Sequence, residues 1–365
     1  VARWWWPILI ALVVVGIEIA VRLDDWSRYG TPVTGSATDI SDLIMRDRDG
    51  LHARPGAVYK FFRIDSLGFR GPDRSRAALQ RAPRIITTGA SETFGLYEPR
   101  DQEWPRQLER GLSPLSPSPV VLNAAFAGMT LPTVTQDIQG RLARFAPAIV
   151  VYYPTPAQYL DRHLPDAARP DSLGPEPVPV FRWRAINRVR DAVKNAVPEP
   201  LLDLLRQRET ERARRREPGN ASAEETSASV IATAAARGER LDAFTADLRR
   251  LVGTVRAIGA QPVLVVHAHR FRDTTSVNEA RLLRAWNKFY PHVRTMDLLV
   301  FDSLAAEATR AVARDSGALV IDPRPALRAV ATPPFADHTH FTGEGAAIVA
   351  RAVADSLRSR LLTPR

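Results

Sequence analysis

The chain has 365 residues, 45% of them hydrophobic, with 50 Lys and Arg against 40 Asp and Glu for a formal net charge of +10. That is enough chain and apolar content for one large domain or two modest ones. Cysteine is absent, which excludes disulfides, thiolate metal sites and a cysteine nucleophile; the basic excess is spread along the chain with few aromatics beside it, which argues against nucleic acid and for a solvated face near a membrane.

The N-terminus opens on "WWWPILIALVVVGIEIAVRL", residues 4–23, apolar except for Glu18 and Arg22. At about 1.5 Å per residue this stretch spans one bilayer core. Trp4, Trp5 and Trp6 suit the interfacial belt, Arg22 can snorkel at the far end, and Glu18 can reach the headgroups from the last turn. No small-x-small cleavage site follows before "RLDDWSRYG", so the stretch reads as a retained single-pass anchor rather than a cleaved signal peptide. Residues 24–60 are polar with Gly, Pro and Asp punctuation and read as a stalk. "FFRIDSLGFRGPD", residues 61–73, reads as a short extended piece and a turn on Gly68 and Gly71.

Five buried-strand signals follow: "PRIITTGAS" (83–91), "PVVLNAAFAG" (119–128), "PAIVVYYPT" (147–155), "QPVLVVHAH" (261–269) and "GALVIDP" (317–323). Helical patterns lie between them at 104–112, 133–145 and 241–259. Continuous apolar strands alternating with amphipathic helices predict an α/β domain over 61–365, a five-stranded parallel sheet covered on both faces. Its ligand crevice belongs beyond the carboxyl ends of the strands. Residues 161–240, rich in Pro and Arg, break the rhythm and read as an insertion, helical around 184–209 and mobile around 211–228.

Two motifs fall at that crevice. "TTGASETFG" (87–95) runs from the first strand into a helix, so Ser91 stands at a helix N-terminus, where free N–H groups and the dipole favour an oxyanion. Taken alone, Ser91 reads more plainly as a helix N-cap. Position 93 is Thr, so this is not the G-x-S-x-G nucleophile elbow. "ADHTHFTGEG" (336–345) places Asp337 three residues before His340, ahead of a helix that Thr342 can cap. One turn brings the carboxylate to the imidazole, which leaves the other ring nitrogen to serve as base for Ser91. A local loop hydrogen bond is the plainer alternative.

Other candidates carry less. His267 and His269 alternate at the end of the fourth strand without an evident third ligand, and "GASETFG" lacks the Lys-Ser/Thr of a phosphate loop, so neither metal nor cofactor is expected. Tyr152 and Tyr153 read as sheet residues, with Tyr153 a candidate for the cleft wall. Glu92 suits the helix N-terminus, and Arg70 reads as a neighbour of the site from the lead-in turn.

Taken together, these blocks resemble the SGNH hydrolases, or GDSL-type esterases, over roughly residues 61–360 apart from the insertion. Gly89-Ala90-Ser91 stands where that family has Gly-Asp-Ser, "VLNAAFAGMT" supplies Gly128 after Asn123, and "DHTH" supplies Asp337 and His340. "LGFRGPD" resembles the lead-in of membrane-anchored members. The resemblance implies a three-layer α/β/α, flavodoxin-like fold and a Ser91–His340–Asp337 triad, with the N–H groups of Ser91 and Gly128 as oxyanion hole. It also implies an extracytoplasmic domain acting on an acyl ester, such as O-acetyl on a glycan or lipid, with membrane lipid around the N-terminal helix. Two departures stand out. Ala90 replaces the usual Asp. The third block, usually Gly-x-Asn-Asp, reads Pro154-Thr155-Pro156-Ala157, so Thr155 or Gln158 becomes the candidate side-chain donor to the oxyanion. Three functions are therefore expected in order: an ester hydrolase, an acyltransferase onto exported polysaccharide, and a non-catalytic module that binds glycan or a partner.

Overall fold

The structure, a computed structural model, describes residues 5–160, 182–196, 234–272, 276–290 and 293–362. These fall into two compact units. The larger holds Ile44–Gly56, the chain from Ile64 to Leu160, and the chain from Ala234 onward; the smaller holds the N-terminus to Leu43, Ala57–Arg63 and the helix Arg184–Ala196.

The larger unit is built on one parallel sheet: β1 (Arg84–Gly89), β2 (Val120–Asn123), β3 (Ile149–Tyr153), β4 (Gln261–Val265) and β5 (Leu319–Ile321). Its order is β2-β1-β3-β4-β5. All five strands lie within the runs expected from the sequence. Ile85, Val151, Val263 and Val265 join one core cluster with Trp104, Leu108, Val349 and Val353. The alternate residues Ile86, Val150 and Leu264 are buried as well. Strand side chains alternate between faces, so burial of both sets means that both faces are covered.

The covering helices are α1 (Ser91–Phe94), α2 (Trp104–Leu112), α3 (Leu131–Gly140), α4 (Ala234–Ala257), α5 (Val277–Asn287), α6 (Thr295–Ser316) and α7 (Gly343–Leu362). α2 packs on α7, while α4 packs on α3 and α6. Each fully buried Leu, Val or Ile in these layers stabilises the fold by about 1.5–3 kcal/mol relative to exposure. The result is the expected three-layer α/β/α arrangement.

Register sets where the site forms. Thr87 pairs with Asn123, Gly89 with Tyr153, and Val265 with Ile321. The carboxyl ends of the strands therefore lie at one edge, where β1 feeds α1 and β5 leads to the loop before α7. Residues 44–53, expected as stalk, instead form an antiparallel hairpin of the larger unit, with Ile44 opposite Ala53.

In the smaller unit, the helix Trp5–Tyr29 is long and apolar enough to cross a membrane, a test that a signal sequence also passes. It runs six residues past the expected span. The two charged residues within the expected span do not reach outward as expected. Glu18 and Arg22 are buried, and Arg22 Nε donates to Glu18 Oε1 at 2.6 Å. Glu18 also accepts the N–H groups of Arg184 and Ala185, at 3.0 and 2.8 Å. Arg22 donates further to the carbonyls of Val33 and Arg182. Glu18 thus satisfies the free N–H groups at the start of the helix Arg184–Ala196, which would otherwise be buried without acceptors. Of the expected insertion, the structure describes this helix and the first turns of α4. The stretch expected to be mobile, 211–228, lies outside the described residues, as does the rest of the helix expected to 209.

Candidate active site

β1 ends in a turn that only glycine fits. Gly89 has φ +153°, and a Cβ there would stand 2.5 Å from the Tyr153 carbonyl oxygen and 2.6 Å from Thr93 Oγ1. α1 starts at once with Ser91 and ends after one turn at Gly95, in the left-handed region at φ +84°. A helix this short carries little dipole, so the dipole expected at Ser91 contributes little. The local asset is the set of free N–H groups at its start.

Surrounding residues clamp this turn. Arg70 is buried, donates to the carbonyls of Phe94 and Gly95, and lies over the Phe94 ring at 4.6 Å. Asn123 Nδ2 donates to the Thr93 carbonyl at 2.9 Å. Both are positioning residues for Ser91, and Arg70 holds the end of α1 rather than facing the crevice.

From the far end of the chain, a pinched loop reaches the same edge. Phe335 and Phe341 bridge, the Ala336 N–H donates to the His340 carbonyl at 2.8 Å, and the Arg270 N–H donates to the His338 carbonyl at 3.0 Å. Thr342 Oγ1 accepts the Gly345 N–H, the expected cap of α7. Asp337 Oδ1 accepts the N–H groups of Thr339 and His340, each at 2.9 Å. Its other oxygen lies 2.7 Å from His340 Nδ1, and His340 Nε2 lies 2.8 Å from Ser91 Oγ. Asp337, His340 and Ser91 thus form one continuous hydrogen-bonded line across 249 residues of sequence.

The electrostatics fit a base held ready. Burial pushes the Asp337 carboxyl up, but the hydrogen bond from His340 and the charges of His340 and His338 outweigh it and hold it well below the usual carboxylate range. Burial pulls His340 down; the Asp337 hydrogen bond and the carboxylates of Glu92, Asp337 and Glu98 more than reverse this and raise it above the ordinary histidine value. A carboxylate at Nδ1 fixes the proton there, so Nε2 faces Ser91 as acceptor.

Gly128 lies in the loop after β2 at φ +83°, with nothing within 4 Å of where a Cβ would stand. The two candidate side-chain donors are engaged elsewhere. Thr155 Oγ1 donates to Glu92 Oε1 at 2.9 Å. Gln158 Nε2 donates to the Met129 carbonyl at 3.1 Å, and its Oε1 accepts from Tyr152 OH and the Thr155 N–H.

Two buried carboxylates that act on His340 have roles that the sequence did not reveal. Glu92, expected to serve the helix N-terminus, is only 2% exposed; it accepts from Thr155, and its Oε2 lies 3.3 Å from Ser91 Oγ. Glu98 is 1% exposed; Oε2 accepts the Tyr97 N–H, and Oε1 has no hydrogen-bond partner among the described residues. Burial pushes its pKa up to about 7. An acidic residue one or seven positions after a Gly-x-Ser turn gives no sequence signal of its own.

The remaining candidates lie in the core. Tyr153 is buried, accepts the Ala268 N–H at 3.0 Å and packs on Phe341, so it supports the His340 loop from below instead of lining a cleft. Tyr152 is buried against Gln158. His267 meets Asp302, which also accepts from Tyr159 OH at 2.7 Å. Among the described residues, no group of three His, Asp or Glu side chains is arranged to hold a metal ion.

No protein-family model and no curated protein matches this sequence. Among solved structures, it is similar to a lipase/acylhydrolase from Enterococcus faecalis, at 14% identity and a TM-score of 0.44, over 78% of this chain and 98% of that one. It is also similar to Axe2, an acetylxylan esterase from Geobacillus stearothermophilus, at 12% identity and a TM-score of 0.41, over 76% of this chain and 95% of that one. A third is TesA, at 13% identity and a TM-score of 0.42, over 76% of this chain and 98% of that one. These are remote likenesses.

Proposed function

We propose that this protein is a serine ester hydrolase in which Ser91 is the nucleophile, His340 the base and Asp337 the residue that orients it. The observation that carries the reading is the line Asp337 Oδ2–His340 Nδ1, 2.7 Å, and His340 Nε2–Ser91 Oγ, 2.8 Å. Ser91 Oγ attacks the ester carbonyl carbon as its proton passes to His340 Nε2. The imidazolium is stabilised by Asp337, which stays ionised because its pKa is held low. The N–H groups of Ser91 and Gly128 take the oxyanion; with Thr155 and Gln158 engaged elsewhere, no side-chain donor is assigned. His340 returns its proton to the leaving alcohol. Water then repeats the sequence, His340 again acting as base, and the carboxylic acid leaves.

The helix Trp5–Tyr29, long and apolar enough to cross a membrane, supports a membrane-anchored enzyme; the larger unit on the extracytoplasmic side and a small acyl ester of a glycan or lipid as substrate follow from the resemblance to the SGNH hydrolases. The test is hydrolysis of p-nitrophenyl acetate by the full chain in detergent. Turnover that falls to background in Ser91→Ala supports the reading, and undiminished turnover refutes it. Product analysis with an acyl donor and a glycan distinguishes release to water from transfer to a sugar hydroxyl.

A further inference from the structure

Two large aromatic side chains stand exposed near the candidate triad. Tyr97, in the loop after α1, is 53% exposed and lies against the His340 ring at 5.0 Å. Phe289, just after α5, is 69% exposed and lies against the His338 ring at 5.5 Å. His338 and His340 are themselves 6.3 Å apart. The four rings form a continuous ledge: an exposed aromatic at each end and two imidazoles between, one of them the proposed base. The ledge is held from below. Trp286 is buried, stacks on His338 at 5.5 Å and 25°, and is itself stacked on buried Phe271. The Phe289 N–H donates to the Trp286 carbonyl. Burial carries the His338 pKa down to about 4, so the ledge between the two end rings holds no second imidazolium at neutral pH.

Exposing two large rings costs apolar burial. Scattered single exposed aromatics need no explanation, but a pair flanking one site marks a contact surface. The pattern also indicates what it contacts. A long acyl chain wants a continuous, enclosed apolar trough. Here the apolar rings are exposed and are interrupted by His338, whose ring nitrogens can exchange hydrogen bonds with hydroxyls, those of His340 being taken by Asp337 and Ser91. Flat aromatic faces separated by polar edges match an oligosaccharide, whose C–H faces stack while its hydroxyls find donors and acceptors.

Resting on the ester hydrolase reading, we infer that Tyr97 and Phe289 are the two ends of a binding ledge for the sugar chain of an O-acylated oligosaccharide, laid across His338 with its ester at Ser91. The test measures binding, not turnover. The full chain carrying Ser91→Ala is titrated in detergent with short O-acetylated xylo- and chito-oligosaccharides. Phe289→Ala and Tyr97→Ala, each added to that background, weaken binding about tenfold. Phe289→Trp retains it, because a flat face remains. Phe289→Leu does not, because it keeps apolar volume but loses the face; since Phe289 touches His338 and not the proposed triad, a general collapse of the site is not the cause.

The inference is overturned if neither sugar binds, if both alanine variants bind like the parent, or if Phe289→Leu restores full binding. A p-nitrophenyl ester with a long acyl chain that competes through the same two rings also overturns it. Labelling of Ser91 by a fluorophosphonate in the otherwise unsubstituted chain tests the hydrolase reading separately. Absent sugar binding with labelling intact sinks the ledge alone.

Discussion

Asp337→Asn is the substitution whose outcome the geometry constrains most tightly. Asp337 uses its two oxygens for different purposes. Oδ1 accepts two backbone N–H groups and shapes the loop; Oδ2 faces His340 Nδ1. Asparagine keeps a carbonyl oxygen for the backbone contacts, so the fold and melting temperature should stay near the parent's. Its NH₂, however, then faces Nδ1 and donates, so Nδ1 must become the acceptor. The ring proton moves to Nε2, the nitrogen 2.8 Å from Ser91 Oγ, and His340 can no longer take the serine proton. The same change of tautomer in a Ser-His-Asp hydrolase lowers turnover by about 10⁴, which is about 5 kcal/mol of barrier. The assay is kcat/KM for p-nitrophenyl acetate from pH 5 to 9, beside a thermal melt. A loss of less than about tenfold, with an unchanged melt, would refute the assignment of Asp337 as the residue that orients the base.

Three further outcomes follow from the surroundings of Ser91. His340 must be neutral to act as base, and its pKa lies above the ordinary value of 6.5, so activity rises with pH along an acid limb placed above that value; Glu92→Gln removes one of the carboxylates that raise it and should move the limb to lower pH, whereas an unmoved limb would show that Glu92 is only structural. Glu98 runs in the opposite sense to a stabilising ion pair: with its pKa raised from 4.5 to about 7, ionisation costs stability progressively through that window and fully above it. Glu98→Gln should therefore leave stability unchanged near pH 4 and raise it above pH 7 by on the order of 3 kcal/mol, read by denaturant midpoints at the two pH values. Gly89→Ala forces a Cβ to within 2.6 Å of both the Tyr153 carbonyl and Thr93 Oγ1; it should destabilise the larger unit by about 1–3 kcal/mol and displace Ser91, seen as a lowered melt together with lost turnover, and a variant with parental stability would contradict the tight-turn account.

Much of this arrangement was legible in the sequence because its signals are local. Apolar runs bounded by Pro or Gly marked all five strands, and "DHTH" held its carboxylate and imidazole one turn apart. What stayed hidden depends on partners far away in the chain. Glu18 and Arg22 look like residues at the end of a membrane span, because their burial comes from Val33, Gly35 and a helix that begins 166 residues after Glu18. Thr155 reads as a spare donor until Glu92, 63 residues earlier, takes its hydroxyl. Tyr97 and Phe289 carry no motif; each gains meaning only when the fold sets it beside an imidazole of the same loop. Residues 44–53 lack strong apolar alternation, so a hairpin there read as stalk.

The central claim is that Ser91 is an activated nucleophile whose activation depends on His340. The most direct measurement treats the full chain in detergent with a fluorophosphonate probe and maps the adduct by mass spectrometry, with Ser91→Ala and His340→Ala alongside. The geometry predicts one adduct, on Ser91, that disappears in Ser91→Ala and slows by orders of magnitude in His340→Ala. A folded protein in which Ser91 stays unlabelled, or is labelled equally fast without His340, would contradict the account.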